Sequence, residues 1–175
     1  NIIINTSSFG YSGILYLVWS HGHIIISKYK FDNQSAGIYS IAILIMTALS
    51  MLPSSIFSKY FLPKIHQYYF HNKKALKSYY EKGNKILILA GVLVGIMLFY
   101  SAELIIESFF SKEYEPAISL LKIFALTLPL RYFGLNSGTL LTTGDFIKHK
   151  NIALSIAAVV NVIATLLMPQ KYGLN

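Results

Sequence analysis

The sequence holds no cysteine, which excludes a disulfide framework and any thiolate-held metal. Charge is also scarce: 13% of the 175 residues are charged and 54% are hydrophobic, where a soluble domain carries about a quarter charged. So little charge cannot cover the apolar surface in water, and lipid is the expected solvent. Carboxylates are scarcer than amines, 7 against 15 Lys and Arg, for a net charge of +8. A nucleic-acid reader would need that charge on the face of a soluble module. Here the lysines sit in short stretches between long apolar runs, where juxtamembrane positive charge collects, so no nucleic-acid partner is expected. Enzymatic constellations are missing too. The sequence has no nucleophile elbow, no paired carboxylates at membrane depth and no glycine loop opening a helix from a strand. Glu113 and Glu115 fall in a short loop and read as solvated carboxylates. The chain is read as a non-enzyme with no catalytic residue, cofactor or metal.

What is present is a series of apolar runs, with a mean hydropathy of +0.53. A hydrocarbon core of about 30 Å takes roughly 20 helical residues, and backbone in lipid must satisfy its own hydrogen bonds. The runs are too long and continuous for the strands of a barrel. About five transmembrane helices are expected, at about 7–26, 36–61, 84–106, 117–142 and 151–168. Pro53 lies inside the second, Pro63 follows its end, and Pro169 and Gly173 stop the fifth. The fold class is all-α integral membrane, with residues 1–175 forming one polytopic region. Asn1 in the place of Met, and an end at Asn175 just past a turn, read as a stretch cut from a longer protein, incomplete at both ends. The opening lacks a basic region followed by a small-residue cleavage site, so it does not read as a signal peptide.

Loop charges set the orientation. Lys59, Lys64, Lys73, Lys74, Lys77, Lys82 and Lys85 stand against Glu81 between the second and third runs, and Lys148 and Lys150 against Asp145 between the fourth and fifth. Glu103, Glu107, Glu113 and Glu115 outnumber Lys112 between the third and fourth. Lysine collects on the cytoplasmic side, so the loops between the second and third runs and between the fourth and fifth face the cytoplasm; Lys28 and Lys30 beside Asp32, after the first run, go mildly against this. The basic stretch 64–85 also carries Tyr68, Tyr69, Phe70, Tyr79 and Tyr80. It reads either as an interfacial amphipathic helix or as a positive-inside loop with a short helical hairpin.

Polar residues at membrane depth are the functional candidates, because hydrocarbon penalises them. Arg131 falls near the middle of the fourth run, just after Pro129, where a central Arg costs about 2.5–3.5 kcal/mol on insertion scales. Thr127, Arg131, Gly134, Gly138 and Thr142 share one helical face. That stripe fits either the lining of a hydrated cavity or an arginine that snorkels to headgroups. Similar stripes run along Ser8, Ser12, Tyr16, Ser20 and His23, and along Ser40, Thr47, Ser50, Ser54 and Ser58. They serve a polar path or bond across helix interfaces. His21 and His23 point about 200° apart on a helix and cannot share a metal; His23 is a candidate coupling site by its titration range, or a packed histidine. Gly91 with Gly95, and Gly134 with Gly138, form GxxxG pairs that read as helix packing.

The run Ala36-Gly37-Ile38-Tyr39-Ser40-Ile41-Ala42, then Leu52-Pro53 and Leu62-Pro63-Lys64-Ile65, resembles the polysaccharide-exporter branch (Wzx-like, for O-antigen and capsule repeat units) of the MOP flippase superfamily. Phe110-Ser111-Lys112-Glu113-Tyr114-Glu115-Pro116-Ala117 is similar to that family's short outer loop. Asn161 with Met168-Pro169-Gln170-Lys171-Tyr172-Gly173-Leu174-Asn175 is similar to its Asn…Ile-Pro-x-Tyr-Gly-Leu signature. The resemblance covers nearly the whole chain and implies helices seven to eleven of a twelve-helix transporter, part of its C-terminal six-helix bundle, with odd helices running outward. One departure is His21-Gly22-His23, where many relatives carry an acidic residue. The resemblance implies a flippase of the bacterial inner membrane that carries an undecaprenyl-pyrophosphate-linked oligosaccharide repeat unit. It implies lipid-linked oligosaccharide, membrane lipids, and polysaccharide polymerase and chain-length components as partners. Arg131, Thr127, Ser12, Tyr16, Thr47, Ser50 and Asn161 are the substrate-path candidates, with Arg131 facing pyrophosphate. Other readings are a MATE-like cation-coupled exporter of small molecules, a membrane-embedded polymerase or glycosyltransferase, and a non-transporting scaffold of polysaccharide assembly.

Overall fold

The computed structural model describes residues 10, 11, 13–15, 17, 33–141 and 146–167. Helix α1 (Asn33–Ile56) passes through a π-helical turn, Phe57–Phe61, into α2 (Leu62–His71). Helix α3 (Lys73–Phe109) follows, then a 3₁₀ turn at Lys112–Tyr114, α4 (Ala117–Leu140) and α5 (Ile147–Leu167). No strand occurs among the described residues. Among the described residues, four helical stretches are long and apolar enough to cross a bilayer: Gln34–His71, Lys73–Phe109, Ala117–Leu140 and Ile147–Ala164. The protein is therefore all-α and membrane-spanning. Of the helix expected at 7–26, residues 10, 11, 13–15 and 17 are helical, and the rest lies outside the described residues.

Two compact units divide these elements. One comprises 38–143; the other comprises 1–37 and 144–175, and so includes α5. The first unit is held by an antiparallel pair, α3 and α4. Its buried stripe is Gly83, Leu87, Gly91, Gly95, Leu98, Ala102 and Ile106 on α3, set against Ala117, Leu121, Ala125, Leu128, Tyr132 and Asn136 on α4. The glycines set the spacing. A Cβ on Gly91 would stand 2.7 Å from Pro129 Cα, and one on Gly95 would stand 2.7 Å from Ala125 O. Small residues at such crossings let two backbones meet where no hydrophobic force drives helices together. Gly134 and Gly138, by contrast, have nothing within 4 Å of their Cβ positions, so only one of the two GxxxG pairs serves as a crossing among the described residues.

The prolines explain the remaining contacts. Pro53 lacks an N–H, which deprives the carbonyl four residues back, Leu49 O, of its helical donor. The Tyr132 hydroxyl donates to that oxygen at 2.8 Å, and Tyr39 meets Phe124 edge-on at 6.1 Å. These two contacts run in the same sense along both helices, so α1 is parallel to α4. Pro129 in the same way deprives Ala125 O, the carbonyl that Gly95 approaches; a Cα–H of glycine is a weak donor there. The helix expected to fray at Phe61 instead continues through Pro63. The Leu62 N–H bonds Phe57 O, five residues back, and this wider turn carries the chain into a proline at the start of α2.

Helix α3 begins about three turns before the expected Asn84, because hydropathy marks what suits lipid and not where a helix ends. Lys, Ala, Leu and Glu are good helix formers, and Asn72 caps the run by accepting the Ala75 N–H at 3.0 Å. Asn72 itself is extended (φ −156°, ψ 94°), and α2 folds back along the first turns of α3. Tyr79 receives Phe61 at 5.3 Å, Tyr68 at 5.5 Å and the Lys64 ammonium at 5.9 Å. The basic stretch is thus a helical hairpin. In the second unit, α5 buries Ile147 and Ala158, and Ser155 donates to Asn151 O at 2.9 Å.

Replacing Tyr132 by Phe removes the donor to Leu49 O and should cost about 1 kcal/mol in detergent-micelle unfolding. In a Pro53→Ala background the restored N–H takes over that carbonyl, so the same change should cost less; equal costs in both backgrounds would break the assignment. Gly95→Ala should destabilise by about 1–3 kcal/mol through overpacking, whereas Gly134→Ala should leave the α3–α4 pair intact, as disulfide trapping across the pair would report.

Candidate substrate-path face

Helix α4 has two unlike faces. Its buried face meets α3. On the opposite flank Thr127, Arg131 and Gly134 are exposed and Gly138 is half-buried, so the expected stripe exists as a surface, with Thr142 outside the described residues. Nothing approaches within 4 Å of the Cβ positions at Gly134 and Gly138. Phe124, which meets Tyr39 of α1, precedes Arg131 by seven residues and so lies at nearly the same angle around the helix. The guanidinium therefore stands on the side of α4 that α1 approaches, turned away from α3. In depth it falls between two crossings, Pro129 against Gly91 and Asn136 against Gly83. That level is one to two turns inward of Lys85.

The other candidates are placed as follows. Thr127 donates its hydroxyl to its own helix, at Phe124 O, 2.7 Å away. Thr47 is exposed on α1, and half-buried Ser50 donates to Met46 O at 2.8 Å. Ser54 donates to Met51 O at 2.9 Å. These hydroxyls bond within their own helices and bridge no neighbour in those contacts. Asn161 is half-buried on α5, in the other unit. Ser12, Tyr16 and His23 lie outside the described residues. What Thr127 and Arg131 share is one exposed helix face.

A polar cluster that the sequence reading passed over lies at the hairpin end of the α3–α4 pair. Asn136 is fully buried. Its side-chain N–H₂ donates to Tyr80 O at 2.9 Å and to Asn84 Oδ1 at 2.6 Å. The Tyr80 hydroxyl and Ser137 Oγ share a hydrogen bond at 2.9 Å. Gly83 makes the room, since a Cβ there would stand 3.3 Å from Asn136 Nδ2. The remaining oxygen, Asn136 Oδ1, is buried with no hydrogen-bond partner among the described residues. Its signal was available: Asn136 is an amide in an apolar run, seven residues after Pro129, and such amides are used to join helices in lipid. The cluster clamps α3 to α4 on the face turned away from Arg131.

Comparison with known proteins gives a family. A model described as "Polysaccharide biosynthesis protein" matches residues 5–119, and the chain belongs to that family. No curated protein and no solved structure matches the chain. The matched stretch contains α1 to α3 and ends at the start of α4, before Arg131.

Asn136→Ala should lower stability in micelles by about 2 kcal/mol, since it removes two donated bonds and strands Asn84 Oδ1. Thr127→Val should cost no more than about 0.5 kcal/mol, because its hydroxyl serves only its own helix. Unfolding midpoints of the two variants check the contrast, and a larger loss for Thr127→Val would reverse the division between clamp and open face.

Proposed function

We propose that this member of the polysaccharide biosynthesis family is a flippase, moving an undecaprenyl-pyrophosphate-linked oligosaccharide repeat unit across the bacterial inner membrane by alternating access. Family membership and the multi-pass helical architecture establish a role in polysaccharide biosynthesis or export. The finer reading is supported by the open α4 flank. Arg131 is the chain's single arginine, it is exposed on a membrane-spanning helix, and Thr127 and Gly134 are exposed beside it. An oligosaccharide pyrophosphate crossing a bilayer requires water and a cation, and a guanidinium pairs with phosphate oxygens through two parallel hydrogen bonds.

In this reading Arg131 binds the pyrophosphate. Gly134 and Gly138 keep the wall low beside it, while Thr127 and the α1 hydroxyls of Thr47 and Ser50 face the sugar path. Asn161, Ser12 and Tyr16 are further substrate-path candidates by residue type, and His23 a candidate for coupling. The chain performs no bond-making step: its work is to replace hydration along the route. The basic hairpin lies on the cytoplasmic side by its lysines, and a polysaccharide polymerase and chain-length components would receive the product on the other side.

Arg131→Ala should abolish surface polysaccharide in a complementation assay at equal expression, with Arg131→Lys restoring part of it as a point charge without the bidentate fork. Normal polymer levels with Arg131→Ala would remove the residue from the mechanism.

A further inference from the structure

The small residues that bring α3 and α4 together also leave a groove that neither helix fills. Its floor is Gly95, Ala125 and Pro129, its walls include Val92, Phe99 and Leu126, and its volume is about 290 Å³. These residues are apolar, and the groove lies well inside the two membrane-spanning helices that form it. A cation stands at one end. The Lys122 ammonium is 5.9 Å from the centre of the Phe99 ring, one turn before Leu126 and toward the Ala117 end of α4. Among the described residues no carboxylate lies within 4.0 Å of it. Glu103, one turn beyond Phe99 on α3, is exposed and lies on the headgroup side of the ammonium, where water and salt screen it.

Hydrocarbon walls with an unneutralised ammonium at one mouth match an amphiphile with an anionic head. We propose that the groove binds one bilayer phospholipid, with an acyl chain lying along Gly95 and Ala125 and its phosphate held by Lys122. The occupant follows from charge complementarity: the apolar walls suit part of a hydrocarbon chain, and the ammonium at one end suits an anionic head. A lysine stem lying along apolar surface with its charge at the headgroup level is the usual disposition at a membrane boundary. Such a lipid would fill the void beside the Gly95 crossing, and it occupies a different face of α4 from Arg131, so the inference does not rest on the transport reading.

The test is lipid binding to the purified full chain in detergent, read by native mass spectrometry with dioleoylphosphatidylglycerol and with dioleoylphosphatidylcholine as probes. The wild-type chain should retain phosphatidylglycerol about fivefold more strongly than Lys122→Gln. Val92→Phe, which fills the groove from its wall, should lose both lipids. Circular dichroism should show unchanged helix content in each variant; if Val92→Phe does not fold, the Lys122→Gln comparison decides alone. Equal retention in wild type and Lys122→Gln overturns the proposal. So does displacement of phosphatidylglycerol by inorganic phosphate, which would mean a bare anion site. A cysteine introduced at Leu126 that cross-links to a second copy or to another segment of the chain would also overturn it, by giving the groove a protein occupant.

Discussion

A bilayer offers no water to a peptide group, so every carbonyl that loses its helical donor must find another inside the protein. In this chain the need arises at two prolines. Pro53 strips Leu49 O of its partner, and the Tyr132 hydroxyl supplies one. Pro129 strips Ala125 O, and Gly95 brings its backbone to that oxygen. Each proline thereby fixes which helix comes next to it: α4 beside α1 in the first case, α3 beside α4 in the second. Before Pro63 the chain passes through a π-helical turn, where the Leu62 N–H bonds Phe57 O five residues back.

The α3–α4 pair shows how association is achieved where apolar surface gains nothing from burial against apolar surface. Backbone contact at Gly91 and Gly95 supplies dispersion over a close interface, and the Asn136 amide supplies directed bonds at one end. Both devices act on a single face of α4, while the Arg131 side carries Phe124, which meets Tyr39 of α1. Arg131, Thr127 and Gly134 are exposed on this membrane-spanning helix, an arrangement that is costly against lipid.

Much of this was legible in the sequence. The apolar runs gave helices because an unsatisfied backbone in lipid leaves no alternative, and the same periodicity placed Thr127, Arg131 and Gly134 on one face of α4. The α3 start was not legible, since hydropathy reports the extent of the apolar run while the polar helix formers of residues 73–82 extend the helix beyond it. Nor were Tyr132 and Asn136 picked out, although each carries a polar atom in an apolar run. A periodicity argument groups residues that share a face, and these two matter through a partner on another helix.

The order of the apolar runs, the sign of the loops between them and the family signature are properties of the chain itself. They depend only on local composition read against a 30 Å slab. Which of two equivalent glycine pairs becomes a crossing, which hydroxyl bonds its own helix and which reaches a neighbour's stranded carbonyl, depends on rotation and depth between helices. Side-chain identity does not contain those two quantities. They are set when Gly95, Tyr132 and Asn136 meet their partners, and only the folded arrangement holds that information.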